Sequence, residues 1–205
     1  RQRLMCVRDI FHAGQNASLD ALKITPTHLN ALLHSKEAQH LIPNKVLVLG
    51  GEPLQISLVE RIREINPSLR IINHYGPTES TVGVTTYELP LELQHPDSHI
   101  APIGKALKGN QLLILDSNQQ LQPKGLPGEI CIAGQQLSLG YLNNRNKNQQ
   151  HFVPHPFVDG AILYRTGDKG RIRDDGNIEY LGRLDRQCKI RGYRVELATI
   201  EQTLN

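Results

Sequence analysis

The chain has 205 residues, enough to bury a core and to form one or two domains. Apolar residues make up 39% and charged residues 21%, a balance that excludes a disordered chain. The net charge of +3 is small and evenly spread, which excludes an electrostatic grip on nucleic acid or on a membrane surface. No apolar run approaches the length of a bilayer span and no charged-then-apolar leader opens the sequence, so the expected location is the cytoplasm. Cys6, Cys131 and Cys188 are odd in number, far apart and in no Cys-x-x-Cys pair, and read as plain thiols. His95/His99 and His151/His155 have helical spacing, but Pro96, Pro154 and Pro156 argue against helix there and so against metal sites.

Arg1 to Ser18 is mixed in texture, with a short helix expected around Leu4 to Phe11. Leu19 to Ile24 alternates as a strand does and stops at Thr25-Pro26-Thr27, where Thr27 is the candidate cap of a helix through Leu29, Leu32 and Leu33. The pattern then repeats. Lys45 to Leu49 reads as a buried strand, Gly50-Gly51-Glu52-Pro53 as a turn, and Ile56 to Ile65 as a helix closed by Asn66-Pro67. Ile71-Ile72 starts another strand, so strands and helices alternate as in an α/β layer with a largely parallel sheet. The texture changes after Thr86. Pro90 to Pro102 is polar and proline-bearing, and strands then follow without helices: Gln111–Leu115, Glu129–Ala133, Arg171–Arg173 and Ile178–Leu181. Asp116-Ser117-Asn118 and Asp174-Asp175-Gly176-Asn177 have hairpin-turn chemistry. The expected division is an α/β layer over about 19–89, a β-rich subdomain over about 100–184, and a new small unit over 185–205 that includes a helix from about Leu197.

The chemistry concentrates in Asn73-His74-Tyr75-Gly76-Pro77-Thr78-Glu79-Ser80-Thr81, a loop between two apolar strands. An aromatic ring, a Gly-Pro turn, three hydroxyls and one carboxylate are the groups that hold a base, a phosphate and Mg²⁺. Four further stretches stand in register with it: Leu49 to Leu54, Gly128 to Gly134, Tyr164-Arg165-Thr166-Gly167-Asp168, and Gly182 to Gly192. From about Leu19 to Asn205 the sequence resembles the adenylation domains of nonribosomal peptide synthetases, in the superfamily that also holds acyl-CoA ligases and luciferases. The fold this implies is α/β. It is the C-terminal portion of the large adenylate-forming domain, a mostly parallel sheet with helices plus a β-rich subdomain, truncated at the start of the small α+β subdomain.

The resemblance implies that an amino-acid carboxylate attacks the α-phosphate of ATP, and that the acyl group then passes to the phosphopantetheine thiol of a carrier protein. It places Thr78 at the α-phosphate and Glu79 on Mg²⁺ as the catalytic pair. Gly51, Glu52 and Pro53 belong with the nucleotide, Tyr75 and Tyr180 with the adenine, Asp168 and Arg183 with the ribose, and Asp185 with the hinge of the small subdomain. Peptidyl carrier and condensation domains are the implied partners, with no nucleic acid and no membrane.

The side-chain pocket of the family falls on Lys23, Val48, Gly50, His74, Val82 and Gly83. Two of these are basic. An unpaired charge left buried costs on the order of 3 to 5 kcal/mol, and a ligand carboxylate would pair with it. At about 4 Å and an intermediate dielectric that attraction is roughly 4 kcal/mol before desolvation. The set resembles the pattern of aspartate-activating domains, so L-aspartate is expected and asparagine comes second. The sequence has no Ser/Thr/Gly-rich phosphate loop, no upstream aspartate for the substrate amine and no distal catalytic lysine. The expectation is therefore part of a larger synthetase, inactive by itself. The alternatives are an acyl- or aryl-CoA ligase, which the basic Lys23 and His74 disfavour, and a non-catalytic interaction module.

Overall fold

The computed structural model describes residues 19–34, 41–92, 98–185, 187–190 and 193–196. Two compact units are present, one of residues 1–73 and 88–101, the other of residues 74–87 and 102–205. The helices expected around Leu4 to Phe11 and from Leu197, together with His95, lie outside the described residues. Among the described residues no helix is long and apolar enough to cross a membrane.

In the first unit β1 (Ala21–Ile24) and β2 (Val46–Gly50) run parallel, with Lys23 opposite Val48 and Ile24 opposite Leu49. β3 (Arg70–Tyr75) follows β2 in the sheet order and carries the chain into the second unit. Parallel neighbours need a crossover. The helix α1 (Pro26–Leu32) lies in the crossover from β1 to β2, and the helix α2 (Ile56–Ile65) follows β2. Thr25, not Thr27, caps α1: its side chain accepts from the His28 amide at 3.4 Å, and Pro26 stands in the first turn, where its missing N–H costs nothing. Thr27 is already helical, and its amide donates to Glu52 Oε2 at 2.9 Å. On α2 the buried Ile56, Val59 and Ile62 recur every three residues, which gives the helix one apolar face. β2 is buried on one face only, through Leu47 and Leu49, while Val46, Val48 and Gly50 are half-exposed on the other.

In the second unit β4 (Thr85–Glu88) pairs antiparallel with β5 (Lys105–Ala106). A separate antiparallel sheet is built from β6 (Asn110–Leu115), β7 (Gly128–Gly134), β8 (Phe152–Pro154), β9 (Ile162–Ile172) and β10 (Ile178–Arg183). Its strand order is β10-β9-β7-β6, with β8 also on β9. The helix α3 (Arg145–His151) leads into β8, and β11 (Gln187–Ile190) with β12 (Tyr193–Glu196) forms a separate hairpin.

Both faces of this sheet are packed. Ile114, Ile130 and Ile178 gather with Tyr75 and Ile103 on one side, and Leu113, Leu115, Cys131, Ala133 and Leu163 on the other. Two-sided burial is why β6 and β7 read as unbroken apolar runs instead of alternating ones. The Asp116 turn forms as expected, with Oδ1 accepting from Asn118 N at 2.8 Å and Gln120 N at 2.9 Å. β9 is much longer than the expected Arg171–Arg173, because it continues through Gly167 as a bulge. Burial, with a smaller push from Glu129, raises the Cys131 thiol to about 12, so it stays protonated and inert.

Ile130 is fully buried between facing strands, whereas Leu139 is fully exposed. Ile130→Ala is expected to cost about 3 kcal/mol in urea unfolding, and Leu139→Ala less than about 0.5 kcal/mol.

Candidate functional site

The loop after β3 closes on itself. Val84 N donates to Tyr75 O at 2.8 Å, and a Cβ at Gly76 would lie 2.5 Å from Val82 O, so only glycine lets the two arms meet. Thr78–Ser80 forms a single 3-10 turn, and Thr81 and Val82 follow with φ of 55° and 74°. A β-branched residue in that region is strained, and such strain persists only where the surroundings impose it. The imposition is visible next door. A Cβ on Gly83 would fall 1.8 Å from the His74 ring, so two expected pocket residues, His74 and Gly83, are in direct contact. Val82 is 58% exposed at the loop tip and Thr78 is also exposed, with Glu79 turned inward at 7%.

Asp168 is the centre of a second cluster. In the β7–β9 ladder Glu129 faces Lys169 and Cys131 faces Arg165, so Thr166-Gly167-Asp168 bulges opposite Ile130. Thr166 Oγ1 donates to Ile130 O at 2.6 Å and accepts from Asp168 N at 2.9 Å. Gly167 takes a φ of 71° and its amide donates to Glu129 Oε1 at 2.9 Å. Glu129 Oε2 in turn accepts from Arg165 Nε and Nη2 at 2.9 and 2.7 Å. The bulge re-aims Asp168, now 5% exposed, toward two donors. The Tyr75 phenol donates to its Oδ2 at 2.6 Å, and Arg183 Nη1 donates to its Oδ1 at 2.8 Å.

Arg183 is shared. Its Nη1 also donates to Thr166 O at 2.8 Å, and its Nε and Nη2 form a forked pair with Asp185 at 2.9 and 2.5 Å. Desolvation pulls the Arg183 guanidinium down, but Asp185 and Asp168 outweigh it and hold the group above its ordinary value. Burial first, then the Asp168 charge, pushes the Tyr75 phenol well up and the Tyr180 phenol up to about 12. Both remain protonated donors at neutral pH. Tyr180 is half-buried and packs on the cluster that contains Tyr75.

A third set is not legible in the sequence. Glu79 Oε1 accepts from the Tyr141 phenol at 2.6 Å, and Glu79 O accepts from Ser138 N at 2.7 Å. Thr81 Oγ1 donates to Gln136 O at 2.9 Å, and Gln136 Nε2 to Gly83 O at 3.2 Å. The segment from Gln136 to Tyr141 therefore backs the whole loop. Its one advance signal is Tyr141 itself, a polar aromatic between two leucine-bearing dipeptides.

The remaining expected residues lie in the first unit. Lys23, Val48 and Gly50 share the less buried face of the β1–β2 pair, Lys23 directly opposite Val48 and exposed. Gly51, Glu52 and Pro53 follow β2, and Glu52 braces the start of α1 through Thr27.

Glu79 is a hard oxygen donor suited to Mg²⁺. Among the described residues no group of three or more His, Cys, Asp and Glu could hold a metal. A cation at Glu79 would then share its coordination between one carboxylate and ligand phosphates, the habit of Mg²⁺ and not of an all-protein cage.

A family profile described as AMP-binding enzyme matches residues 3–142. The chain is 43% identical over 179 residues to tyrocidine synthase 3 of Brevibacillus parabrevis, a match covering 87% of this chain and 3% of that protein. Bacitracin synthase 3 of Bacillus licheniformis is 42% identical over 199 residues, covering 97% of this chain and 3% of the synthase. Among solved structures, PA1221, an NRPS protein containing adenylation and PCP domains, superposes with a TM-score of 0.83 at 30% identity, over 97% of this chain and 40% of that one. The Vibrio cholerae adenylation domain AlmE, solved in complex with glycyl-adenosine-5'-phosphate, gives 0.78 at 29% identity over 97% of this chain and 37% of its own. The chain thus spans a small part of the synthases and under half of either adenylation structure. With the family profile covering well over half of its residues, the chain belongs to the AMP-binding enzyme family and corresponds to part of an adenylation domain of the adenylate-forming superfamily.

Proposed function

We propose that this chain contributes the nucleotide-ribose, metal and side-chain contacts of an amino-acid-activating domain in nonribosomal peptide synthesis, with L-aspartate as the substrate. The observation that carries the reading is the buried Asp168 carboxylate, with Tyr75 on one oxygen and Arg183 on the other. A carboxylate held at both oxygens still has lone pairs for a diol, and its fixed plane suits two adjacent hydroxyls. In the reaction a carboxylate oxygen of the amino acid bonds to the α-phosphorus of ATP, and the bond to the bridging oxygen breaks, releasing pyrophosphate. In the second step a carrier-protein phosphopantetheine thiol loses its proton, its sulfur bonds to the acyl carbon, and AMP leaves.

This chain's part is positioning. Asp168 accepts the ribose hydroxyls, and Arg183 keeps that carboxylate oriented. Thr78, exposed on its turn, donates to an α-phosphate oxygen. Tyr75 and Tyr180 line the adenine, and Gly51, Glu52 and Pro53 belong to the same nucleotide contacts. Glu79 would hold Mg²⁺, which when bound neutralises charge on the phosphates. Asp185 serves as the hinge of the small subdomain. PA1221 contains adenylation and PCP domains in one protein, which supports a carrier domain as partner; a condensation domain is the second partner proposed.

The choice of aspartate rests on charge. Lys23 is exposed on its strand face beside Val48, and His74 sits against Gly83 with no room for a larger residue there. Two basic groups favour a substrate carboxylate, and the small neighbours admit a short side chain. Asparagine remains the nearest competitor.

ATP–pyrophosphate exchange on the intact enzyme, run with aspartate, asparagine, glutamate, leucine, phenylalanine and a benzoate, is expected to be dominated by aspartate. Exchange with an apolar or aromatic acid instead would discard the pocket, and none with any acid would favour a non-catalytic module. In the same assay Lys23→Ala is expected to raise the aspartate KM several-fold, about 1 kcal/mol for an ion pair on an exposed strand face, with the ATP KM moving far less. Equal loss of both would sink the assignment of Lys23. Tyr75→Phe keeps the ring and removes a hydrogen bond to a charged acceptor, so the ATP KM is expected to rise at least about tenfold; an unchanged KM would leave the phenol no part in ribose binding.

A further inference from the structure

We infer that Tyr141 is a positioning residue for the metal carboxylate: its phenol holds Glu79 in the orientation from which Glu79 takes up a divalent cation, a role that rests on the Mg²⁺ reading of Glu79 proposed above. The phenol donates to Glu79 Oε1 at 2.6 Å, on a carboxylate that is 7% exposed. Tyr141 is itself held from several sides. Asn148, on α3, accepts from Tyr141 N at 2.6 Å and donates to Tyr141 O at 2.9 Å, so one side-chain amide brackets the tyrosine backbone. Phe152 and His151 meet the ring edge-on, with centroids 5.7 and 6.1 Å away. The phenol oxygen consequently has little freedom to drift from Glu79.

The same contact is dispensable for keeping the loop in place. Ser138 N and Thr81 Oγ1 tie the loop to its backing segment independently of the Tyr141 hydroxyl. Besides a 3.4 Å contact with the Tyr164 hydroxyl, the hydroxyl adds orientation of the Glu79 side chain. A glutamate loses rotamer freedom when it binds a cation, and a partner that has already fixed the rotamer removes that cost from the binding step. A phenol does this without cancelling the carboxylate's charge, as a lysine or arginine in the same place would. Partners that orient metal ligands in this way are commonly worth a factor of ten or more in metal affinity.

The test is calorimetric binding of ATP to the intact adenylation domain, in Mg²⁺ and in EDTA, for the wild type, Tyr141→Phe and Glu79→Gln. The readout is the ratio of the two affinities, the Mg²⁺ enhancement. Tyr141→Phe is expected to lower it about tenfold while ATP affinity in EDTA stays unchanged, and Glu79→Gln to abolish it. An equal loss in EDTA would make Tyr141 a structural support and overturn the inference. An unchanged enhancement in Tyr141→Phe, with the enhancement gone in Glu79→Gln, would overturn the positioning role alone. A full enhancement retained in Glu79→Gln would remove Glu79 from the metal, and Tyr141's role with it.

Discussion

The second unit depends on one buried carboxylate being adequately paired. Asp168 is almost completely withdrawn from water, a placement that is costly for a charged group unless its oxygens find donors. They find Tyr75, at the end of β3, and Arg183, at the end of β10. Three separate stretches of chain therefore converge on a single side chain. The convergence is possible because Thr166-Gly167-Asp168 leaves the regular ladder opposite Ile130, and because Leu181 is an unmatched residue between Tyr180 and Gly182 in the ladder on the other side. Two regular strands would have aimed Asp168 into the sheet's alternation instead.

The loop that begins at Tyr75 inherits its geometry from the same anchor. Its base is pinned by Tyr75, through its phenol and through the Val84 amide, and its return arm by the ring of His74 lying over Gly83. Between these points Thr81 and Val82 are held in the left-handed region, a local cost that the backing segment from Gln136 to Tyr141 offsets with hydrogen bonds. Strain with an identifiable restraint is the condition under which side chains at a loop tip keep a fixed orientation. The tip here carries Thr78 and Val82 outward and Glu79 inward, so one turn presents a hydroxyl to solvent and a carboxylate to Tyr141.

Local signals make part of this legible. The βα repeat of the first unit follows from Leu47 and Leu49 on a strand and Ile56, Val59 and Ile62 on a helix, patterns set by neighbours in sequence. The cap of α1 lies two residues before the expected one, because Thr25 and Thr27 are equivalent as hydroxyls and only Pro26, at the start of the helix, separates them. α3 is hidden for a different reason: Arg145 to His151 buries none of its residues, so it has no apolar period to read, and Asn144 capping Lys147 N is its one marker. Asp168 and Arg183 are recognisable as motif members, but their pairing is not. Neither are the contacts of Glu129 with Gly167 and of Tyr141 with Glu79, which join residues 38 and 62 positions apart. Long-range polar contacts leave no periodicity; a charged residue such as Glu129 inside an apolar strand signals that it needs a partner without saying which.

The two carboxylates are treated in physically distinct ways, and the difference bears on what each can do. Asp168 meets a cation and a phenol, an arrangement that fixes its plane while limiting its appetite for a second cation. It is suited to accept neutral hydroxyls. Glu79 accepts from the phenol of Tyr141, which fixes its plane and leaves its charge in place. Arginine is also the only side chain that satisfies the first arrangement. Its Nη1 serves Asp168 and Thr166 O while Nε and Nη2 form a fork on Asp185, four directed bonds from one planar group. A lysine would bring the same charge with no fork, and could satisfy Asp168 or Asp185 but not both in this geometry. The orientation of the Asp168 carboxylate and that of the Asp185 side chain are thus set by the same guanidinium.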